Sequence, residues 1–454
     1  MFDIRLPALS HPSTPTEITA DYLTQLREHQ FSGDIHDGYA ERLIMATDNS
    51  IYQLMPQAVL YPKCQDDIVT MLTLAAQSKF SAISFTARGG GTGTNGQSLN
   101  TGIIVDLSRY MTRIIELNLD EGWVRVEAGV VKDKLNQYLK PHGYFFAPEL
   151  STSNRATIGG MLSTDASGQG SLVYGKTSDH IIGLTAVLSE GDVIETEPIT
   201  RSTAEALAAN DNHIGRIYRQ VLQTCFSKRQ LIEEKYPKVT RFLTGYDLKH
   251  VCSDDLSMIN LSRIITGAEG TLAMVTEAKL NITPIPKHRV LVTIKYDSFD
   301  AALRHAPELV LAKALSVETI DSNVFALAQQ DIIWHSVAPL IRHVEGKVMR
   351  GINIVEFAGN SLATITHDVK ALCKQLDKAV ASEKEGVIGY QWCDNLSDIN
   401  KIYAMRKKAV GLLGNVAGDA KPIPFVEDTC VPPHALANYI TDFRALLDSY
   451  GLSY

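Results

Sequence analysis

The sequence has few cysteines, and none of them has the spacing of a metal site. Six cysteines are scattered over 454 residues, and no Cys-x-x-Cys pair occurs. This pattern argues against a disulfide-stabilised extracellular domain and against an iron–sulfur cluster held by this chain. We therefore expect reduced thiols and a cytoplasmic location. The cysteines are Cys64, Cys225, Cys252, Cys373, Cys393 and Cys430.

Long apolar runs and basic runs are missing too. The sequence contains no run of about 18 apolar residues, so it predicts no transmembrane helix. Residues 1–15 contain prolines and polar residues without an apolar core, so we expect no secretory signal peptide there. The formal net charge is −8, with no concentrated stretch of Lys and Arg. Nucleic acid is therefore not an expected partner.

The overall composition is that of an ordinary globular protein. Hydrophobic residues make up 45% of the chain and charged residues 21%. A chain of this length is too long for a single hydrophobic core, so two or three domains are expected.

The most informative stretch is a glycine-rich loop that follows a short β-prone run, Ala82–Phe85. The loop reads Arg88-Gly89-Gly90-Gly91-Thr92-Gly93-Thr94-Asn95-Gly96. Glycine has no Cβ atom, so the backbone of such a loop can approach a ligand closely. Successive amide N–H groups in a turn of this kind converge on an anion. The loop therefore predicts a phosphate or pyrophosphate site.

Four kinds of loop have to be considered for this sequence. Residues 91–96 fit the dinucleotide pattern GxGxxG of a nicotinamide enzyme, but the strand predicted at 102–107 leaves no room for the helix that this pattern requires. Residues 91–98 nearly match a P-loop, but Gln97 occupies the position of its lysine. A loop between two strands that holds the pyrophosphate of a flavin is the third alternative. The fourth is a glycine turn without a ligand.

Two further patches are rich in glycine and hydroxyl groups. The second extends from Glu149 to Gly175, and the third from Gly267 to Leu272. Small residues allow a flat ligand to lie against the backbone, and hydroxyl groups can bond to its polar edge. For the second patch the alternative is a helix that packs closely on its neighbour through Gly159 and Gly160.

Hydrophobic periodicity predicts a mixed α and β chain. Ala58–Tyr61 and Ala82–Phe85 read as strands joined by a helix, which is the usual route to a parallel pair. Residues from about 200 to 262 read as a largely helical insertion. Pro284 and Pro286 suggest a domain boundary, and strands alternating with helices follow it.

Taken together, the three patches resemble one family. Their sequences are RGGGTGTNG, PELSTSNRATIGGMLSTDASGQGSLVYGK and GAEGTLAMVTEAKLNITPIP. They resemble the flavoprotein superfamily typified by vanillyl-alcohol oxidase and p-cresol methylhydroxylase (PCMH), from about residue 50 onward. The stretches TDNSIY at 47–52 and PIPFVEDTCVPP at 422–433 are similar to the branch that oxidises D-2-hydroxy acids. Large bacterial members of that branch carry a C-terminal iron–sulfur region.

The resemblance implies an α+β architecture and an FAD cofactor. An N-terminal segment (1–50) would precede a two-subdomain PCMH-type FAD-binding domain (51–284) and an α+β substrate or cap domain (285–454). The cap domain looks incomplete at its C-terminus. FAD would not be covalently attached, because no His lies between His36 and His142. The implied cofactor-binding residues are Arg88, Gly89, Gly90, Gly91, Thr92, Gly93, Thr94, Asn95, Glu149, Gly159, Gly160, Thr164, Asp165, Ser167, Gly168, Gly267, Glu269, Gly270 and Thr271.

The resemblance also suggests how a substrate carboxylate is held. Related D-2-hydroxyglutarate enzymes use an Arg and a Lys fifteen positions later, which correspond to Arg406 and Lys421. A guanidinium can hold a carboxylate through two N–H groups, and Lys adds a point charge. The alternative is a solvated basic surface at residues 406–408. Val410 stands near a position where relatives have Thr, which leaves the specificity open.

No catalytic base and no metal ligand is identified in this chain. Relatives carry a histidine segment, which helps to bind a divalent metal or acts on the substrate hydroxyl, soon after the helix that ends this sequence. His335 and His343 are isolated and are expected to be structural. Such a base and metal, and the iron–sulfur cluster, would therefore lie outside this sequence.

The predicted function is oxidation of a D-2-hydroxy acid by hydride transfer to FAD. The favoured substrate is D-2-hydroxyglutarate, which would give 2-oxoglutarate, and D-lactate is the alternative. A different alternative is a catalytically incomplete FAD-binding fragment. Electrons would leave to an acceptor or an iron–sulfur region.

Overall fold

The structure, a computed structural model, describes residues 14–242, 245–382, 384–412, 422–423 and 429–453. The chain divides into two compact units. Unit 1 consists of Met1–Ser167, Lys176–Pro237 and Phe242–Pro284, and unit 2 of Gly168–Gly175, Lys238–Arg241 and Ile285–Tyr454.

The first sheet of unit 1 is parallel except at one edge. Its strands are β1 (Asp34–His36), β2 (Ala58–Tyr61), β3 (Phe85–Arg88) and β4 (Ile103–Asp106), in the order β1-β2-β4-β3. Only the pair of β1 and β2 is antiparallel. The central strands β2 and β4 are buried along their length and apolar except for Asp106 at the end of β4, as is typical of parallel strands covered on both faces. The helices of this part are α1 (Glu17–Glu28), α2 (Tyr39–Ile44) and α3 (Gln65–Ala75).

The helix of the predicted β-α-β unit is confirmed, but the prediction of its second strand is wrong. The strand expected at 82–85 begins only at Phe85. Strand β4 lies between β2 and β3, so the two strands expected to pair are not neighbours. The carbonyl of Ser84, just before β3, accepts the amide of Ile103 at 2.8 Å. A Cβ at Gly102 would lie 2.3 Å from that carbonyl oxygen, so this close approach requires glycine.

The second sheet of unit 1 is antiparallel, with the order β5-β6-β12-β8-β9. Apolar residues alternate along β6, β8 and β12 and form one core with the adjacent helices. The strands of the rest of this unit are β5 (Ile114–Asn118), β6 (Trp123–Glu127), β7 (Tyr144–Phe145), β8 (Ile181–Val187), β9 (Val193–Thr196), β10 (Ile199–Thr200), β11 (Met258–Ile259), β12 (Met274–Asn281) and β13 (Thr283–Pro284). Two of these helices are α4 (Lys132–Leu139) and α5 (Ile158–Thr164).

The part predicted as a helical insertion contains the helices α7 (Arg201–Ala208), α8 (His213–Ser227) and α9 (Arg229–Lys235). Helix α10 (Ser262–Ile265) begins at its end, and the short α6 (Ser171–Tyr174) belongs to unit 2. Asn212 starts α8 by accepting the amide of Gly215 at 2.7 Å. The buried side of α8, with Tyr218, Leu222 and Cys225, joins the core of the antiparallel sheet.

Unit 2 is built on one antiparallel sheet with the order β15-β16-β14-β17. Two core clusters contain residues of this sheet, one with α11 and α14 and the other with α12, α13 and α15. The remaining elements are β14 (His288–Tyr296), α11 (Phe299–Leu311), β15 (Ser316–Asp321), α12 (Ser322–Gln330), α13 (Trp334–Val337), β16 (Gly351–Gly359), α14 (Leu362–Ser382), β17 (Val387–Cys393), α15 (Leu396–Leu412) and α16 (Leu436–Ser449). This arrangement confirms the expected α+β class.

Within the described part of the chain, every helix is too short or too polar to cross a bilayer.

The buried centre of the parallel sheet should be sensitive to loss of volume. Replacing Leu60, which is fully buried in β2, by Ala leaves a cavity, and we expect the free energy of unfolding to fall by about 2–5 kcal/mol. The matched control is Leu231→Ala, because Leu231 is 49% exposed in the same unit. Its cost should stay within about 0.5 kcal/mol. Urea unfolding measures both, and equal costs would contradict the placement of Leu60.

Candidate functional site

The glycine loop of residues 88–96 lies against the start of the second glycine-rich patch. A Cβ on Gly89 would lie 2.1 Å from the hydroxyl oxygen of Thr157, and a Cβ on Gly90 would lie 2.3 Å from the carbonyl oxygen of Arg155. Real Cβ atoms do not approach other atoms so closely, so both positions require glycine. These two glycines therefore allow the loop to pack on residues 155–157.

The same loop presents several amide groups without an acceptor. Among the described residues, no acceptor is found for the backbone N–H groups of Gly90, Gly91, Thr92 and Gly93. The loop is partly exposed, and Gly91 has a φ of +60°, in the left-handed region. Successive free N–H groups beside a left-handed glycine are the groups that bind phosphate in a nest.

Helix α5 begins beside this loop. Thr157 is its N-cap residue, and the Thr157 side chain accepts the amide of Gly160. The positive end of the helix dipole therefore lies on the side of the glycine loop, where it favours an anion. Gly159, in contrast, faces the protein: its amide donates to the carbonyl of Ala128 at 2.7 Å, and a Cβ would lie 2.9 Å from the Ala128 side chain. Close helix packing thus explains Gly159.

The third patch is bonded to the other end of α5. The amide of Gly267 donates to the carbonyl of Leu162, and the amide of Glu269 donates to the carbonyl of Ser163, each at 2.9 Å. Gly267, Glu269 and Gly270 all have positive φ values. The structure therefore brings the three predicted patches together around one short helix.

A cavity of about 380 Å³ opens between the second and third patches. This volume is in the usual range for a small-molecule pocket. The hydroxyl of Thr266 is buried on its wall without a hydrogen-bond partner in the described chain. The wall also includes Glu269, whose pKa is raised by desolvation. Polar groups with no protein partner are expected where a ligand completes the hydrogen bonding.

The side chain of Asp165, in the second patch, is bonded to other parts of the protein. Its carboxylate pairs with the ammonium of Lys176 at 2.6 Å and accepts the amide of Ser178 at 2.8 Å. The Asp165 and Lys176 side chains are only 6% and 5% exposed. Lys176 also donates to the carbonyl of Phe242 at 3.2 Å. This buried ion pair fixes the chain where it leaves α5, at a residue with a φ of +50°.

Two other predicted charged residues are also bonded to the protein. The guanidinium of Arg88 donates to the carbonyls of Met45 and Thr47, so it holds the preceding segment. Glu149 accepts a hydrogen bond of 2.7 Å from the fully buried Lys132. Both side chains therefore support the site through the framework.

The remaining predicted residues take several positions. Thr164 donates its hydroxyl to the carbonyl of Gly160, and Thr271 donates to the carbonyl of Ala268. The backbone amide of Asn95 donates to the side-chain oxygen of Gln97. Ser167 is the last residue of its segment of unit 1, and Gly168 is the first residue that belongs to unit 2.

In unit 2, the predicted substrate residue Arg406 is paired with an acid. It lies on α15, and its Nε and Nη2 atoms are 2.8 and 2.6 Å from the same carboxylate oxygen of Glu318 on β15. The Arg406 side chain is 29% exposed and that of Glu318 is 18% exposed. Lys421 lies outside the described residues, so its predicted proximity to Arg406 stays a prediction.

A buried carboxylate, Glu356 on β16, joins several polar groups of the same unit. Glu356 is 1% exposed and accepts from Arg289 at 2.6 Å, from the hydroxyl of Tyr403 at 2.5 Å and from the side-chain amide of Gln169 at 3.1 Å. Burial raises the pKa of Tyr403, so this hydroxyl stays protonated and donates. Tyr403 lies one turn before Arg406 on α15, so the cluster fixes the helix that carries Arg406.

The sequence analysis missed Glu318, Glu356, Arg289 and Tyr403. Two signals in the sequence point to this cluster. Glu356 interrupts an apolar strand, and Tyr403 precedes Arg406 at the three-residue spacing that places both on one side of a helix. A charged residue in an apolar strand needs a partner, but the sequence does not say which one.

A nest of amides beside one end of helix α5 and a glycine turn bonded to its other end are typical of the class of nucleotide-binding proteins. Comparison with known families agrees with this class. A family model described as an FAD binding domain matches residues 56–197, and one described as the C-terminal domain of FAD linked oxidases matches residues 285–454. The chain belongs to the FAD-linked oxidase family.

Individual relatives are similar over nearly the whole chain. The D-2-hydroxyglutarate dehydrogenase of Escherichia coli (strain K12) is 60% identical over 99% of this chain. The enzyme of the same name from Haemophilus influenzae is 56% identical over 99%. The chain spans only 44% of the length of each of these relatives. A solved structure of alkyldihydroxyacetonephosphate synthase is 14% identical, covers 89% of this chain and 65% of its own, and has a TM-score of 0.64, which shows a shared fold.

The buried ion pair beside the cavity should be important for stability. Replacing Lys176 by Met leaves the Asp165 carboxylate buried without its partner, and we expect the free energy of unfolding to fall by about 3–5 kcal/mol. The matched control is Lys79→Met, because Lys79 pairs with Asp21 at 3.6 Å with both side chains about half exposed. That change should cost about 1 kcal/mol or less. Urea unfolding of both variants tests this, and a similar cost for the two would contradict it.

Proposed function

We propose that this chain is the FAD-binding and acid-binding part of a D-2-hydroxyglutarate dehydrogenase, which converts D-2-hydroxyglutarate to 2-oxoglutarate. The observation that carries the proposal is the nest of free amides at 90–93 beside the start of α5. The substrate is proposed from the relatives of that name, which match nearly the entire chain.

The residues present fit a flavin nucleotide. The amides of residues 90–93 would hold its pyrophosphate, with the positive end of the α5 dipole nearby. The cavity lined by Thr266, whose hydroxyl has no partner in the described chain, would take a polar part of the ligand. Residues 51–284 would form the FAD-binding domain and residues 285–454 the substrate domain. When bound, FAD supplies a ring that accepts a hydride from C2 of the acid. The framework residues Arg88, Glu149 and Asp165 would keep the loop and the chain around α5 in place.

Arg406 would bind a carboxylate of the acid while it remains paired with Glu318. A guanidinium has five N–H donors, and the two contacts to Glu318 use Nε and one Nη2 hydrogen. Nη1 and the remaining hydrogen of Nη2 can still donate to a second carboxylate. Because Glu318 cancels the charge of Arg406, the added charge of Lys421 would be needed to attract an acid.

The proton of the substrate hydroxyl must leave when the hydride is transferred. We place no base for this step among the residues described in this chain. The electrons would pass to an acceptor or to an iron–sulfur region of a longer protein. A location in the cytoplasm remains part of the proposal.

The function is tested by adding acids to the purified chain without oxygen. We expect a yellow protein whose visible flavin band shifts or bleaches on addition of D-2-hydroxyglutarate. D-lactate lacks the second carboxylate, and one charged hydrogen-bonded contact is worth about 1.5–3 kcal/mol, so D-lactate should need a roughly ten-fold or higher concentration. Bleaching would show that the hydride step is complete in this chain, and a shift alone would show binding.

A folded chain that stays colourless after incubation with FAD would contradict the cofactor proposal. A yellow chain with equal responses to both acids would contradict the substrate proposal and leave FAD binding intact. Gly90→Ala should reduce the retained flavin in the same preparation, because its Cβ would collide with the carbonyl of Arg155.

Arg406 and Glu318 should have opposite effects on acid binding. Arg406→Lys removes the planar fork and should weaken D-2-hydroxyglutarate binding about ten-fold or more. Glu318→Gln removes the competing charge and should strengthen it. Lys408→Met is the control, because the Lys408 ammonium pairs with Asp331 on a surface where it is 44% exposed. The dissociation constants come from the flavin band, and equal losses in Arg406→Lys and Lys408→Met would indicate only a diffuse basic surface.

A further inference from the structure

A histidine and two carboxylates converge in unit 2, away from the residues discussed so far. His305 lies on α11, and its Nε2 atom is 3.9 Å from a carboxylate oxygen of Glu308 and 4.0 Å from one of Glu385. All three atoms lie within 4.8 Å of one another. Glu308 is one turn further along α11, and Glu385 is in the turn before β17. The cluster therefore links a helix to the turn that precedes a strand.

The charges of this cluster are not balanced by the protein around it. Within the described residues, neither Glu308 nor Glu385 has a Lys or Arg partner. Two carboxylate oxygens that approach each other repel unless a cation lies nearby. A protonated Nε2 could not form a hydrogen bond with either carboxylate, because both oxygens lie beyond hydrogen-bond distance. His305 is only 8% exposed, and in the described chain its Nε2 has no hydrogen-bond partner.

The other ring nitrogen is held by a buried polar chain. Nδ1 of His305 is 2.6 Å from the hydroxyl of Tyr296. The side-chain amide of Asn353 donates to the same hydroxyl at 3.0 Å and to the carbonyl of Ala302 at 2.9 Å. Asn353 is fully buried and accepts from the hydroxyl of Thr319 at 2.7 Å. Binding of a cation at Nε2 requires the ring proton on Nδ1, where it would donate to the Tyr296 hydroxyl, and the Nε2 lone pair would then face the two carboxylates.

We propose that His305, Glu308 and Glu385 bind a zinc ion, with water as a fourth ligand. Zinc accepts one imidazole and two carboxylates at bond lengths of about 2.0–2.2 Å, which requires ligand atoms roughly 3.5 Å apart. The His305 nitrogen lies 3.9 and 4.0 Å from the two carboxylate oxygens, about 0.5 Å more than this, and the two exposed glutamate side chains can move closer. Metal-binding histidines almost always donate their other N–H to a fixed partner, as His305 can to Tyr296.

A second cluster offers a control on the same chain. Glu190, Asp192 and His213 are also close enough to share an ion. There Nδ1 of His213 is 2.7 Å from Asp192, so these two residues already form a hydrogen-bonded pair on an exposed turn. The His213 side chain is 24% exposed. This cluster should therefore bind zinc more weakly than the His305 cluster.

The test uses the purified 454-residue chain after treatment with a chelator and removal of the chelator. Zinc chloride is titrated into wild-type protein, the double variant Glu308→Gln/Glu385→Gln, and His213→Ala, and binding is followed by calorimetry. We expect one fewer zinc per chain in the double variant than in wild type, and no loss in His213→Ala. The two glutamates are 68% and 50% exposed, so the double variant should fold, which circular dichroism checks.

The supporting residue gives an independent readout. Tyr296→Phe keeps every charge of the cluster but removes the hydroxyl that orients His305. We expect it to lower the zinc affinity about 10- to 100-fold, whereas simple attraction of zinc to surface acids would be unchanged. Zinc should also raise the melting temperature of the wild type but not of the double variant. Equal zinc stoichiometry and affinity in wild type and the double variant would overturn the proposal.

Discussion

The close approach of two backbones, at Gly90 and Arg155, is the contact on which the candidate site depends. It places the amides of residues 90–93 beside the start of α5, and the third patch is bonded to the end of the same helix. No side chain larger than hydrogen fits at Gly89 or Gly90. The glycines thus allow two loops to meet, and the free amides are a consequence of that meeting. A ligand contact alone would not require glycine at both positions.

In unit 2 two arginine side chains are paired with carboxylates instead. Arg406 is paired with Glu318, and Arg289 with the buried Glu356. Burying a charge is expensive, and such pairs usually do little more than offset that cost. Their effect is positional, because Glu356 also bonds Tyr403 on the helix of Arg406. The guanidinium of Arg406 is therefore fixed in direction, while its net attraction for a free acid is reduced.

The sequence was sufficient for features that depend on neighbouring residues. The glycine patches, the helix α3 and the mixture of helices and strands could be predicted from composition and periodicity, and the family could be predicted from the resemblance of the three patches to known motifs. The sequence did not reveal that β4 lies between β2 and β3, since strand order depends on contacts distant along the chain. The pairing of Arg406 with Glu318 was hidden for the same reason, because these residues are 88 positions apart. Likewise, the sequence did not reveal that Asp165 and Arg88, predicted as ligand contacts, are bonded to distant parts of the protein.

These two kinds of polar group imply different behaviour on binding. Donors that are free and fixed before binding, such as the amides at 90–93, need no reorganisation, so a diphosphate gains their hydrogen bonds at little cost. A carboxylate that binds Arg406 must instead approach Glu318, and two like charges close together lose much of the gain. Affinity for an acid therefore has to come from charge beyond the Arg406–Glu318 pair. Under the proposed function, an acid with a second carboxylate that can reach a further cation is the kind of ligand that such an arrangement would favour.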